Sequence, residues 1–190
     1  MTDASPWAVV AKVAEVLDAL GVRYAVGGSL ASSIVGEPRS TIDADLVAEL
    51  RPEHVDAFIA QLSPRFYIPA ERLRRAAREC LSANLIDQDT GMKVDVFIAG
   101  GTPLDESALT RRLPFSPRVG AAMLYVHTPE DVLLQKLRWY RKGGEVSDRQ
   151  WRDVIGIVRV QGARLDRSYL TYGVALLGVT DLLERVLAQE

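Results

Sequence analysis

Three aspartates occur at spacings that suit metal-assisted chemistry. Asp43 and Asp45 lie two residues apart in the segment TIDADLV, and Asp95 lies in the segment KVDVF. Polar and apolar side chains alternate in both segments, as in a β-strand, so Asp43 and Asp45 project from one face about 6.5–7 Å apart. Carboxylates this close repel one another unless a cation lies between them. If the two strands are neighbours, the three carboxylates converge, as two-metal phosphoryl transfer requires, and one of them can accept the proton of an attacking hydroxyl.

A second interpretation of the Asp-x-Asp pattern needs no metal. The intervening residues Ile42, Ala44 and Leu46 are predicted to face a core, which leaves the two acids on the opposite face. Solvated acids on an edge strand protect a sheet against aggregation. Taken alone, the pattern favours this structural role over metal binding.

A glycine pair followed by a hydroxyl precedes the aspartates. Gly27 and Gly28 come after the β-prone run VRYAV, and Ser29 follows them at the start of a predicted helix. Glycines let the backbone approach a ligand closely, and the N–H groups at a helix start bind phosphate oxygens. Glycine pairs also commonly end strands without any further role. This feature alone therefore supports phosphate binding and a purely structural role equally.

Two basic residues are candidates for phosphate contact. Lys136 lies within an apolar arc of a predicted helix that begins at Thr128, so it must either extend outward to water or meet an anion. Contact with a triphosphate is the preferred outcome, given the carboxylates. Arg39 lies shortly before the Asp-x-Asp strand and is a further candidate. Asp153 is interpreted as half of a surface ion pair with Arg149, four residues before it.

A predicted helix near residues 70–79 carries several arginines. They are candidates for guiding an RNA acceptor, although a solvated helix face is the favoured interpretation. The residues are Arg72, Arg74, Arg75 and Arg78.

Composition narrows the choice of metal and partner. The chain has 190 residues, 48% of them hydrophobic, and a net charge of −2, so it is not a general polyanion binder. With one cysteine, Cys80, and two histidines, any metal must be held by carboxylates, which suits Mg²⁺ or Mn²⁺. Neither a signal peptide nor an apolar membrane span is recognisable, which predicts a soluble, cytoplasmic protein without a membrane partner.

The predicted elements form a mixed α+β core followed by helices. Residues 100–118 read as loop, and the helices after Thr128 make up the remainder. We therefore predict a core of residues 1–127 and a C-terminal helical segment of residues 128–190 packed on it.

Residues 22–99 resemble the signature of the DNA polymerase β-like nucleotidyltransferase superfamily. The matching residues are Val26-Gly27-Gly28-Ser29, then Asp43-Ala44-Asp45-Leu46, then the lone Asp95. The resemblance implies the nucleotidyltransferase fold, a mixed β-sheet flanked by helices, with all three aspartates as ligands of Mg²⁺ or Mn²⁺. It also implies transfer of a nucleoside monophosphate from a nucleoside triphosphate, such as ATP, to a hydroxyl.

The helices that follow look like those of minimal bacterial members, including abortive-infection toxin nucleotidyltransferases. Those members carry a lysine on the helix after the core, which Lys136 matches. The toxin-type members imply an antitoxin partner, and the apolar helical segment leaves a homodimer as an alternative.

The acceptor and the activity itself are open at this stage. RNA, tRNA, a protein or a small molecule is compatible with the signature, and net acidity slightly favours a cationic, aminoglycoside-like antibiotic. The alternative from a different class is a non-catalytic nucleotide-binding or partner-binding module that retains the fold.

Overall fold

The computed structural model describes residues 5–118 and 120–189, which divide into two compact units. The first unit contains the residues up to 30 together with residues 41–126, and the second contains residues 31–40 and the residues from 127 onward. The division predicted from the sequence, 1–127 and 128–190, placed residues 31–40 with the core.

A seven-stranded sheet organises the first unit, with strand order β3-β4-β5-β2-β1-β7-β6. Strands β2 and β5 are parallel, as are β1 and β7, and the other neighbours are antiparallel. In chain order the strands are β1 (Tyr24–Val26), β2 (Ala44–Ala48), β3 (Phe66–Tyr67), β4 (Ser82–Asp87), β5 (Lys93–Ile98), β6 (Leu113–Phe115) and β7 (Leu124–Val126).

Two helices of the first unit, α1 and α5, begin at side-chain caps that the sequence provides. Helix α1 starts after Ser5, whose hydroxyl accepts a hydrogen bond from the Ala8 N–H, and Pro6 occupies its first turn. Apolar side chains of this helix join buried strand residues in one core cluster. The helices are α1 (Pro6–Ala19), α2 (Gly28–Val35, which continues into the second unit), α3 (Pro52–Leu62), α4 (Ala70–Glu79) and α5 (Pro103–Arg111).

The second unit is helical apart from its turns. Helices α6 and α8 pack closely because Gly173 lies against Leu134, where a side chain on residue 173 would have little room. Helices α7 and α9 also contact each other. The elements are α6 (Pro129–Lys142), α7 (Asp148–Gln161), a 3₁₀ turn (Gly162–Arg164), α8 (Arg167–Leu177) and α9 (Thr180–Leu187).

Two features differ from the sequence predictions. Residues 100–118, predicted as loop, contain α5 and β6, because Thr102 caps α5 by accepting a hydrogen bond from the Asp105 N–H and because Pro114 is tolerated in an edge strand. Strand β2 begins at Ala44, so Asp43 precedes the strand, and Ile42 is 74% exposed instead of facing the core.

Within the described ranges, no helix combines the length and the apolar character that crossing a membrane requires.

Candidate active site

Two of the predicted acids lie side by side on neighbouring strands. Asp45 on β2 and Asp95 on β5 are register partners, and partners on adjacent strands are about 4.8 Å apart. The residues that flank them in sequence are fully or almost fully buried, so both aspartates project from the opposite face. Asn84 on β4 is the partner of Asp95 on its other side. Three oxygen-bearing side chains therefore form a row across β4, β5 and β2.

Asp43 lies at the entrance to β2. It is exposed, and its backbone N–H donates a hydrogen bond to the Thr41 hydroxyl at 3.3 Å. Its position one residue before the strand means that strand geometry does not fix its side chain as it fixes Asp45. The proposed convergence of Asp43 with the other two acids stays a prediction.

Gly27 and Gly28 both lie against Asp45. The Gly27 N–H donates to the Asp45 carbonyl oxygen at 2.9 Å, which extends the β1–β2 ladder by one residue. Gly28 has a φ of +55°, and a Cβ at this position would lie 1.7 Å from Oδ2 of Asp45. Only glycine fits here, and it brings the first backbone turn of α2 against the carboxylate. A helix start presents N–H groups, so the arrangement places donors for an anion beside an acid that suits a cation.

A lysine that the sequence analysis did not single out lies among these acids. The Lys93 ammonium is 2.8 Å from Oδ2 of Asp95, and the Asn84 amide donates to Oδ1 of the same carboxylate. The hydrogen bond to Asp95 raises the pKa of Lys93 against the opposing effect of burial, and the charges of Asp95, Asp43 and Asp45 raise it further. The alternation of KVDVF places Lys93 on the same face as Asp95, so the signal was available in the sequence.

The donor set suits a hard divalent cation, although Asp95 is already engaged. In the part of the chain that the structure describes, no group of three or more His, Cys, Asp or Glu side chains forms a ready-made metal cage. Carboxylate oxygens, which Mg²⁺ and Mn²⁺ prefer, are nevertheless concentrated at Asp45 and Asp95. The residues fit a divalent ion by their chemistry.

The second unit contains a buried carboxylate shared by two cations. Arg39 donates to Asp153 through Nε at 2.8 Å and through a terminal nitrogen at 3.0 Å, and Lys136 Nζ lies 2.6 Å from Oδ2. Burial favours a raised pKa for Asp153, but the hydrogen bonds from Arg39 and Lys136 and their charges outweigh it and hold the pKa below its ordinary value. The interpretation of Asp153 as a surface partner of Arg149 is therefore wrong.

Arg39 and Lys136 were predicted to contact nucleotide phosphates. In the structure each binds a carboxylate, and the Lys136 side chain is only 10% exposed. Their assignment to nucleotide binding stays a prediction.

Two of the four arginines of α4 are matched by local acids. Arg74 contacts Asp56 and Glu71, and Arg75 contacts Glu79. These contacts favour the interpretation of a solvated helix face over an RNA-guiding surface.

Comparison of the sequence with protein-family models and with curated proteins finds no match. Among solved structures, the chain is similar to an antigenic nucleotidyltransferase-like protein from Paracoccidioides brasiliensis, with 18% identity, a TM-score of 0.57 and coverage of 96% of this chain and 92% of that chain.

The antibiotic-resistance factor ANT(2'')-Ia is similar as well. Its solution structure gives a TM-score of 0.54 at 12% identity, with 96% of each chain covered. Its crystal structure with adenylyl-2''-tobramycin gives 0.56 at 11% identity, with 89% of this chain and 94% of that chain covered. The mixed sheet, the order of its elements and these similarities together show that the chain has the nucleotidyltransferase fold.

Proposed function

We propose that this protein is a metal-dependent nucleotidyltransferase that moves a nucleoside monophosphate from a nucleoside triphosphate to a hydroxyl acceptor. The observation that carries the proposal is the pairing of Asp45 with Asp95 directly beside the side-chain-free turn at Gly28. A sheet needs neither feature for stability, and together they join a cation-binding group to an anion-binding one.

The proposed roles follow from the chemistry of each group. Asp43, Asp45 and Asp95 would hold Mg²⁺ or Mn²⁺, which supplies electrostatic stabilisation of the charge that develops on the phosphates and the leaving group. The backbone of Gly27 and Gly28, with Ser29, binds phosphate oxygens. One of the three carboxylates takes the proton of the attacking hydroxyl.

The acceptor is proposed from charge. A net charge of −2 and the local ion pairs of Arg74 and Arg75 favour a cationic small molecule over RNA. ANT(2'')-Ia, a protein of the same fold, has been crystallised in complex with adenylyl-2''-tobramycin. Adenylyl transfer from ATP to an aminoglycoside-like hydroxyl is therefore the first acceptor chemistry to test. An RNA or protein acceptor, with a toxin role in the cytoplasm and an antitoxin partner, is the second.

Release of pyrophosphate from each of the four NTPs in the presence of Mg²⁺ tests the proposal. The assay is run with an aminoglycoside panel and with total tRNA as acceptors, and the labelled product is identified by mass. We expect Asp45→Asn and Asp95→Asn to lose at least about 100-fold in kcat/KM, the scale of removing a group that stabilises transition-state charge. Asp89→Asn, a change of equal charge at an exposed position, is the matched control.

Two results would contradict the proposal in different ways. Nucleotide binding without pyrophosphate release, for every acceptor, supports the non-catalytic module. Wild-type rates of pyrophosphate release in both Asp45→Asn and Asp95→Asn would show that these aspartates have no catalytic role.

A further inference from the structure

A positive side chain occupies the acidic site that the proposed function assigns to a metal. Lys93 and Asp95 are two residues apart on β5 and project from the same face, and their contact of 2.8 Å is a direct ion pair. The Asp95 side chain is only 17% exposed, whereas Lys93 is 45% exposed and reaches inward from solvent. The Asp95 carboxylate is therefore held within the site, whereas the Lys93 side chain is accessible to solvent.

Both oxygens of Asp95 are engaged by donors from its own sheet. Lys93 binds Oδ2, and Asn84 binds Oδ1 from the neighbouring strand β4. Asp45 lies on the other neighbouring strand as the register partner of Asp95. Two carboxylates at this separation repel each other, and the ammonium reduces that repulsion in the absence of any metal. The fold thus supplies its own monovalent cation at the site.

We propose that Lys93 is the internal counter-ion of this site and that a divalent cation must displace it from Asp95 to bind. The inference rests on the proposed function, because it takes Asp95 as a metal ligand. An ammonium and a divalent cation on the same carboxylate repel each other strongly at a distance of a few ångströms, so one ion excludes the other. Lys93, with its exposed stem, is the partner that can swing away to solvent.

The arrangement trades metal affinity against stability of the metal-free protein. While Lys93 neutralises Asp95, the unliganded site is stable, and part of the metal's binding free energy is used to break the ion pair. Removal of the ammonium without loss of volume reverses this balance. The Lys93→Met variant is the appropriate change, since methionine is unbranched, neutral and flexible.

Mn²⁺ binding to the nucleotide-free protein tests the proposal, with free Mn²⁺ followed by electron paramagnetic resonance at low ionic strength. We expect Lys93→Met to lower the Kd for Mn²⁺ about three- to tenfold, where tenfold corresponds to about 1.4 kcal/mol. Lys93→Arg, which retains the charge, should stay close to the wild type. Arg72→Met removes one positive charge from the exposed side of α4 and controls for net charge.

A second measurement protects the test against a folding defect. Metal-free Lys93→Met should unfold at a lower urea concentration than the wild type, and saturating Mn²⁺ should raise its midpoint by more than it raises that of the wild type. If the variant folds only with Mn²⁺ present, the dependence of refolding on Mn²⁺ concentration gives the same comparison, and tighter apparent binding again supports the proposal.

Equal or weaker Mn²⁺ binding by Lys93→Met overturns the inference, as does absence of Mn²⁺ binding in both proteins. The outcome is independent of the activity assay. Tighter Mn²⁺ binding without nucleotide turnover supports the counter-ion and refutes the proposed function. Nucleotide turnover together with an unchanged Kd of Lys93→Met for Mn²⁺ would support the proposed function and refute the counter-ion role of Lys93.

Discussion

Gly28 lies against Asp45 so closely that the candidate site has no room for a side chain at residue 28. A Cβ on residue 28 would overlap the Asp45 carboxylate at 1.7 Å, and the positive φ of +55° already disfavours any other residue. The close fit fixes where the carboxylate lies relative to the first turn of α2. A change at Gly28 should therefore act on stability and on the site together.

We expect Gly28→Ala to lower the free energy of unfolding by about 2 kcal/mol, since it combines backbone strain with overpacking. Displacement of Asp45 should also reduce nucleotide turnover. Gly91→Ala is the matched control, because Gly91 has a φ of +70° but open space around a Cβ, so only the backbone cost of about 1 kcal/mol applies. Urea unfolding of both variants measures the difference. Equal losses in the two variants would show that the contact with Asp45 is unimportant.

Asp153 is a largely buried acid of the second unit whose charge is matched by two cations. Arg39 and Lys136 hold its pKa below the ordinary value, so the folded protein binds this proton less readily than the unfolded chain does. Its contribution is therefore fully present above the unfolded pKa of about 3.9 and is lost as the pH falls through the lower folded value. The stabilisation belongs to neutral pH and disappears in acid.

At pH 7 we expect the free energy of unfolding of Asp153→Asn to be about 3 kcal/mol lower than that of the wild type, because two partly buried cations lose their shared counter-charge. The gap should begin to narrow below about pH 4, where the unfolded chain starts to bind the proton, and should close once the pH falls below the lower pKa of the folded protein. Urea titrations across this range, wherever both proteins are folded, provide the measurement. Asp89→Asn, at an exposed position, should change stability by less than about 1 kcal/mol. A gap that does not depend on pH would mean that Asp153 acts by shape and not by charge.

At the scale of elements, the packing of α8 on α6 depends on the absence of a side chain at Gly173. A Cβ there would lie 2.5 Å from Cδ1 of Leu134, which is itself buried. Gly173→Ala should therefore destabilise the wild type by about 1 kcal/mol, the overpacking cost exceeding the gain in helix propensity.

In a Leu134→Ala background the same substitution should have the opposite sign. The space is then free, and alanine is favoured over glycine in a helix by about 1 kcal/mol. A thermodynamic cycle of the two single variants and the double variant measures the coupling. Additive effects would contradict a direct packing contact between the two positions.

The elements that the sequence predicts well are those with a clear period or cap. Alternation in KVDVF places Asp95 opposite to its buried neighbours, and Ser5-Pro6 marks the start of α1. Helix α5 was missed because the two glycines before it and the prolines around it are typical of loops, although Thr102 is a good cap. A local sequence pattern is sufficient to predict an element only where no nearby glycine or proline favours a loop instead.

The remaining errors are contacts between residues that are distant in sequence. Arg39 and Asp153 are 114 residues apart, and no local pattern relates them. Asp153 therefore resembled a surface residue, since Arg149 lies four residues before it, at the spacing of a helical ion pair. The parallel pairing of β2 with β5 also joins distant segments. The sequence predicts each strand but offers their pairing only as a hypothesis, which the register of Asp45 with Asp95 confirms.

At the scale of the whole molecule, the net charge of −2 offers little general attraction for a polyanion such as a nucleoside triphosphate. The proposed nucleotide binding would then depend on local donors and on a metal that neutralises the acids. The triphosphate and the cation should accordingly bind cooperatively, each weakly without the other.

Ligand-linked stability measures this cooperativity in the complete chain. A ligand that binds only the folded state raises the free energy of unfolding by about 2.7 kcal/mol at a concentration of 100 times its Kd. We expect Mn²⁺ and a non-hydrolysable ATP analogue together to raise it by more than the sum of their separate effects. Asp95→Asn should lose this excess, whereas Asp56→Asn, an exposed acid on α3, should retain it. Strictly additive effects in the wild type would mean that metal and nucleotide occupy unrelated sites, and the aspartates would then have no part in holding the triphosphate.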